Sequence, residues 1–163
     1  MVIRMKIVDA DPPRLCGCGR YGCLEAYASA TALLKRAQEG LDAGVPTRLR
    51  DQWAATDAGG RARLIDDFNK SGDAFCRQLI RETAYYLAVG ATNLMHTIDP
   101  DMIVFGGGMS RSGPEFLTWI RDDIRRLAFP TPANATEVVY ASLGSDAGYI
   151  GAAGCARLMT VRT

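Results

Sequence analysis

The stretch from Asp73 to Gly108 constrains the fold of this 163-residue chain more than any other. Cys76, Ile80, Ala84, Leu87, Ala91 and Leu94 recur at helical spacing, with Phe75, Leu79 and Tyr86 beside them. They predict one long helix from about Asp73 to His96, and so wide an apolar face belongs at the centre of a core. Asp99-Pro100 ends it. Met102-Ile-Val-Phe105 then predicts a short strand, apolar throughout and therefore of the buried kind. Gly106-Gly107-Gly108 follows directly, and Ser112-Gly-Pro-Glu115 has the form of a capping box with proline in the first turn. The helix it starts carries Leu117, Ile120, Ile124 and Leu127 on one face. Glu137-Val-Val-Tyr140 is another short strand, and Gly144–Gly151 leads into a last helix through about Leu158. Helix, strand, glycine turn, helix, strand, helix is the alternation of an α/β layer with parallel strands.

The first half is less regular. Met1–Val8 reads as a strand, stopped by Pro12 and Pro13. A helix is predicted from about Leu24 to Glu39, with Tyr27, Ala30, Leu34 and Ala37 on one face and Gly40 as a left-handed stop. The pattern weakens after Leu41, where Gly44, Pro46, Gly59 and Gly60 cluster. A variable helical insertion is expected over 41–72, with a helix at Arg61–Asn69. Three strands are few for a complete sheet, so the chain reads as part of something larger.

Between the first strand and the first helix lies Cys16-Gly-Cys-Gly-Arg-Tyr-Gly-Cys-Leu-Glu25. Thiolates this dense, interleaved with glycines that let the backbone turn back, read as a metal knuckle spanning residues 9–25. Cys16, Cys18 and Cys23 supply three ligands, whereas a structural zinc takes four. Asp9 and Asp11 are close enough in sequence to offer a carboxylate. The alternative is three reduced cysteines in a glycine-rich turn. Gly106–Gly108 is equally two-sided: its N–H groups suit an anion or nucleotide, yet a tight strand-to-helix turn needs glycine anyway. Gly106–Gly108 is not a G-x-G-x-x-G, and a G-x-x-x-x-G-K-[ST] loop is absent from the sequence.

Other polar residues read more plainly. His96 at a helix C-terminus fits dipole capping better than catalysis. Asp99 and Asp101 belong to a stop signal. The Asp66-Asp67 and Asp122-Asp123 pairs are expected on solvated helix faces, and Trp53 and Trp119 in packing. Formal net charge is +1 with no basic cluster, which argues against a nucleic-acid-binding face. No apolar run approaches the ~20 residues of a membrane span. Met1–Asp11 mixes charge with short apolar pairs and does not read as a secretory leader. Three clustered and two single cysteines fit a reducing cytoplasm better than a disulfide framework.

Three blocks resemble the ROK family (repressor, open reading frame, kinase), which holds bacterial glucokinases, related sugar kinases and transcriptional repressors. Cys16–Glu25 matches the family's C-x-C-G-x-x-G-C-x-E without departure. N-L-M-H-T-I-D-P-D-M-I-V-F-G-G-G from Asn93 to Gly108 is similar to its next block, and Asp146–Gly154 to its closing helix. The resemblance spans about Lys6 to Leu158. It implies an α/β fold, the C-terminal part of an actin-like (ribonuclease H-like) ATPase domain, with a zinc-knuckle loop and long packed helices. It also implies Zn2+ at Cys16, Cys18 and Cys23, sugar hydroxyls at Glu25, and ATP with Mg2+ beside Gly106–Gly108. The expected partners are a hexose, glucose foremost, and ATP, in a cytoplasmic protein.

Two family features are missing from the sequence. One is the D-x-G-x-T phosphate loop, whose domain also carries the catalytic aspartate. The other is E-x-G-H before the knuckle, whose histidine is the fourth zinc ligand; that point falls near Met1–Arg4, and arginine stays protonated. Residues 1–163 are therefore expected to be a single partial domain with no catalytic residue, inactive alone and prone to self-association through uncovered apolar surface. A sugar-sensing regulator fragment is the alternative, and a degenerate protein without ligand the third reading.

Overall fold

The computed structural model describes residues 13–108 and 112–160. The expected first strand and the two candidate ligands Asp9 and Asp11 lie outside them. Helices dominate: α1 (Glu25–Ala28), α2 (Ala30–Asp42), α3 (Leu49–Trp53), α4 (Ala58–Lys70), α5 (Ala74–Ile98), α6 (Pro114–Leu127), α7 (Pro130–Ala135) and α8 (Ala147–Thr160). Two strands, β1 (Met102–Phe105) and β2 (Glu137–Tyr140), pair in parallel with Met102 opposite Glu137 and Phe105 opposite Tyr140. The order β1–α6–β2 is the expected strand–helix–strand unit.

The long helix α5 forms the axis of the core. Asp73 caps it by accepting from the Cys76 N–H at 3.0 Å, and Asp99 closes it in the left-handed region at φ 44°. Its buried side is Cys76, Leu79, Ile80, Ala84, Ala88, Ala91 and Met95. The stripe is rotated from the predicted one at its far end, where Leu94 is exposed and Met95 faces inward. Phe116, Leu117, Ile120 and Ile124 of α6 complete the core with Leu33, Ala37 and Leu41 of α2. The segment over residues 41–72 folds as α3 and α4 and sends Leu49, Trp53 and Ile65 into the same cluster. Trp53 and Trp119 pack as expected, under Arg61 and under Arg77 respectively.

Several expectations are corrected. The helix predicted over Leu24–Glu39 is broken at Ser29, which is extended and caps α2 by accepting from the Ala32 N–H. Gly40 does not stop it. The glycine lies inside α2 because Phe75 occupies the space of its missing side chain; a Cβ there would collide with the ring tip. The left-handed turn falls at Gly44, φ +76°. The capping box at Ser112 does not form: Gly113 is the N-cap, and Glu115 pairs with Arg77 instead. Leu127 turns outward and Phe116 takes its place in the core. Asp123 is not solvated, being buried between Arg81 and Arg126. Among the described residues β1 is covered on one face only: Ile103 and Phe105 pack inward, while Met102 and Val104 are half exposed. The described helices back the two strands on that side alone.

Candidate functional site

The knuckle is a tight turn held by its own backbone. Leu15 and Tyr21 form an antiparallel bridge, and the Cys16 N–H donates to the Arg20 carbonyl at 2.8 Å. Gly19 and Gly22 stand at φ 81° and 77°, a region that a side chain would strain. These turns gather the sulfurs of Cys16, Cys18 and Cys23 within 4.8 Å of one another. The Cys18 and Cys23 sulfurs are 3.7 Å apart. Sulfurs on a tetrahedral zinc with bonds of about 2.3 Å lie about 3.8 Å apart, so the donor set fits such an ion. The Arg20 N–H, then the neighbouring thiols, draw the Cys18 pKa down, which favours the thiolate that binds metal. Cys23, on the other side of the shared hydrogen bond, is pushed up.

Glu25 follows at once as the first residue of α1, exposed and on the wall of an open cavity of about 910 Å³. Cys16 and Cys18 line the same cavity, as do Arg14, Lys35, Arg36 and Tyr86. The knuckle is fastened to the helices behind it. The Arg14 N–H donates to the Tyr27 hydroxyl at 2.8 Å, and the Arg14 guanidinium makes a two-pronged contact with Glu39 at 2.8 and 2.6 Å. Hydrogen bonding to Arg14 holds the Glu39 carboxyl below its usual range. Tyr27 packs on Tyr86 of α5 with ring centres 4.8 Å apart. Arg36 runs through the base of this assembly, bonded to Glu82, Thr83 and the Tyr27 and Leu79 carbonyls. Periodicity places Tyr27 on an apolar helix face, but nothing in the sequence marks Arg36 or Glu82; their pairing joins residues 46 apart.

Gly106–Gly108 leaves the C-terminal end of β1, exposed, with Gly107 at φ +86°. A Cβ on Gly107 or Gly108 would meet no atom within 4 Å, so the strip is an open approach to backbone. The carboxyl end of parallel strands is where open α/β sheets bind ligands. None of the three glycines lines the knuckle cavity. His96 serves local packing, with its Nε2 accepting the Phe129 N–H at 3.1 Å and its ring stacked on Phe129.

The chain is similar to known proteins over most of its length. The chain is 36% identical to a glucokinase of Halalkalibacterium halodurans over 138 residues, covering 83% of this chain and 41% of that one. It is 34% identical to a xylose repressor of Caldicellulosiruptor bescii over 115 residues, 71% of this chain and 28% of the other. A ROK family glucokinase from Streptomyces griseus, solved in complex with glucose and AMPPNP, superposes with a TM-score of 0.71 at 31% identity, over 88% of this chain and 47% of that one. The chain therefore spans less than half the length of these relatives. The two-strand unit and helical core are those of ROK kinase structures, the fold expected from the cysteine and glycine blocks. The ROK family pattern itself runs through residues 4–158, from before the knuckle to the end of α8, and the chain belongs to the ROK family.

Proposed function

We propose that this chain is the C-terminal, ligand-binding part of a ROK sugar kinase, one that phosphorylates a hexose, with glucose foremost, from ATP and Mg2+. One observation carries the reading. The knuckle gathers three sulfurs and delivers Glu25, two residues past the last of them, to the rim of an open cavity. The likeness to a glucokinase covers 83% of the chain, and the ROK family pattern spans the knuckle and Glu25.

In this reading Glu25 accepts hydrogen bonds from sugar hydroxyls, since an ionised carboxylate offers only acceptors. Gly106–Gly108 lets backbone approach the adenine nucleotide closely. Cys16, Cys18 and Cys23 hold Zn2+, which when bound crosslinks the turn and fixes where α1 begins. The cysteines thus position the sugar ligand and take no part in phosphoryl transfer.

The sequence holds no D-x-G-x-T loop. Phosphoryl transfer depends on positioning and on charge stabilisation by such a loop. A general base adds ~10²–10⁴-fold. The chain alone is therefore expected to bind sugar but to turn over at least ~10²-fold more slowly than a complete kinase. Two measurements test this. Calorimetry should show glucose binding that Glu25→Gln weakens at least tenfold, and coupled ADP release should stay near background. Glucose binding untouched by E25Q would remove Glu25 from the site, and kinase-like turnover would overturn the inactivity.

The likeness to a xylose repressor over 71% of this chain favours a second reading, a sugar-sensing regulator. The genomic sequence immediately upstream of Met1 separates them: an in-frame D-x-G-x-T favours the kinase, a winged helix the regulator.

A further inference from the structure

We infer that Arg14, through its ion pair with Glu39, is a positioning residue for Glu25: it pins the turn to α2 and so sets where the Glu25 carboxylate stands in the cavity. This rests on the reading of Glu25 as a sugar ligand. Arg14 holds the chain on both sides of Glu25. Its carbonyl accepts from the Gly22 N–H at 3.0 Å, shortly before Glu25. Its own N–H donates to the Tyr27 hydroxyl at 2.8 Å, shortly after it. Both are backbone groups, so they hold Glu25 only as firmly as Arg14 is itself held. Helix α1 does not fix its own start: it is four residues long, and Leu24 at its N-cap makes no side-chain capping bond. The placement of Glu25 therefore depends on contacts from outside α1.

The side chain of Arg14 supplies the anchor. Its Nη1 and Nη2 donate to the two carboxylate oxygens of Glu39 at 2.8 and 2.6 Å, the fork geometry that fixes direction as well as distance. Glu39 stands on α2, which is seated in the core by Leu33, Ala37 and Leu41. Tyr27 is firm as well, being buried, packed on Tyr86 and bonded through its carbonyl to Arg36. With both terminal nitrogens engaged by Glu39, Arg14 acts on a ligand through Glu25 and not by contact. The side chains of Arg14 and Glu39 are 30% and 53% exposed, and an ion pair that open adds little to folding stability. Its effect on binding can therefore be read apart from any effect on folding.

In the intact chain, Arg14→Met and Glu39→Ala should each weaken glucose binding in calorimetry by about three- to tenfold, and the double variant should be no weaker than either alone. The urea midpoint should stay where it is. Arg14→Lys keeps the charge without the fork and should fall between R14M and the unaltered chain. Adding R14M to E25Q should cause no further loss, because the clamp works through Glu25. Amide exchange read by mass spectrometry should quicken over residues 14–28 in R14M and E39A while α5 stays protected. An R14M loss that persists in full on top of E25Q would show Arg14 touching the ligand itself and overturn the inference. Glucose binding left unchanged by R14M or E39A would overturn it too. An unaltered chain that binds no glucose would instead bring down the reading of Glu25. Exchange then decides the clamp: quickened exchange over 14–28 upholds it, and unchanged exchange overturns it.

Discussion

At the scale of single residues, polar side chains buried by long-range pairing hold the site's foundation. Arg36 is 6% exposed, and its guanidinium serves Glu82, Thr83 and the Leu79 carbonyl of α5 and the Tyr27 carbonyl of α1. Arg36→Met keeps much of the volume and strands these acceptors, so it should cost about 2–3 kcal/mol in urea unfolding. Glu82→Gln should cost under about 1 kcal/mol, because Glu82 is 41% exposed and water replaces the ion pair. Cys76 offers a second test. Burial, and then the nearby Asp73 charge, pushes its thiol up to about 12, leaving it un-ionised at neutral pH. Iodoacetamide on the native, metal-free chain should therefore label Cys18 and Cys155 and spare Cys76 until denaturant is added, as read by peptide mass spectrometry.

At the scale of elements, two contacts decide where helices begin and pass one another. Asp73 accepts from the Cys76 and Arg48 N–H groups and from the Thr47 hydroxyl. Burial pushes its carboxyl up, but these donors together outweigh it and hold the pKa below its ordinary value. A carboxyl lowered by folding stabilises the native state above its unfolded pKa of about 3.9 and ceases to do so as pH falls through the native value. Melting temperature should thus drop on acidification below about pH 4. Asp73→Ala should cost about 2 kcal/mol at pH 7 and flatten that acid limb. Gly40→Ala should cost about 1–3 kcal/mol, since Phe75 must leave its position to admit a methyl. These two positions also mark what could be read in advance. The Asp73 cap and the Asp99-Pro100 stop are local chemistry, and so is the knuckle, whose glycines and cysteines sit within ten residues of one another. Gly40 looked like a helix end because a partner 35 positions along the chain, invisible to local pattern, fills its space. Asp123 looked solvated for the same reason: Arg81 reaches it from another helix. β1 looked buried because Met102 and Val104 are apolar, but burial depends on what covers a strand and not on its composition.

At the scale of the whole molecule, the described residues leave one side uncovered. Every residue of α8 is exposed, with Tyr149, Leu158 and Met159 each at least 69% open, and Met102 and Val104 face out from β1. Apolar surface of this kind promotes association. The isolated chain should show a concentration-dependent sedimentation coefficient, and Leu158→Lys with Met159→Lys should shift it toward the monomer while leaving the unfolding midpoint within about 0.5 kcal/mol. A monomer at all concentrations would show that this face stays bare. Opposite in character is the hold of Asp73 on Thr47 and Arg48, which clamps both ends of the α3–α4 segment to the start of α5. For anyone shortening this protein, that clamp draws the cutting line: an excision between Thr47 and Asp73 would also take Leu49, Trp53 and Ile65 out of the core and unlatch the central helix, so a minimal version must keep the whole segment.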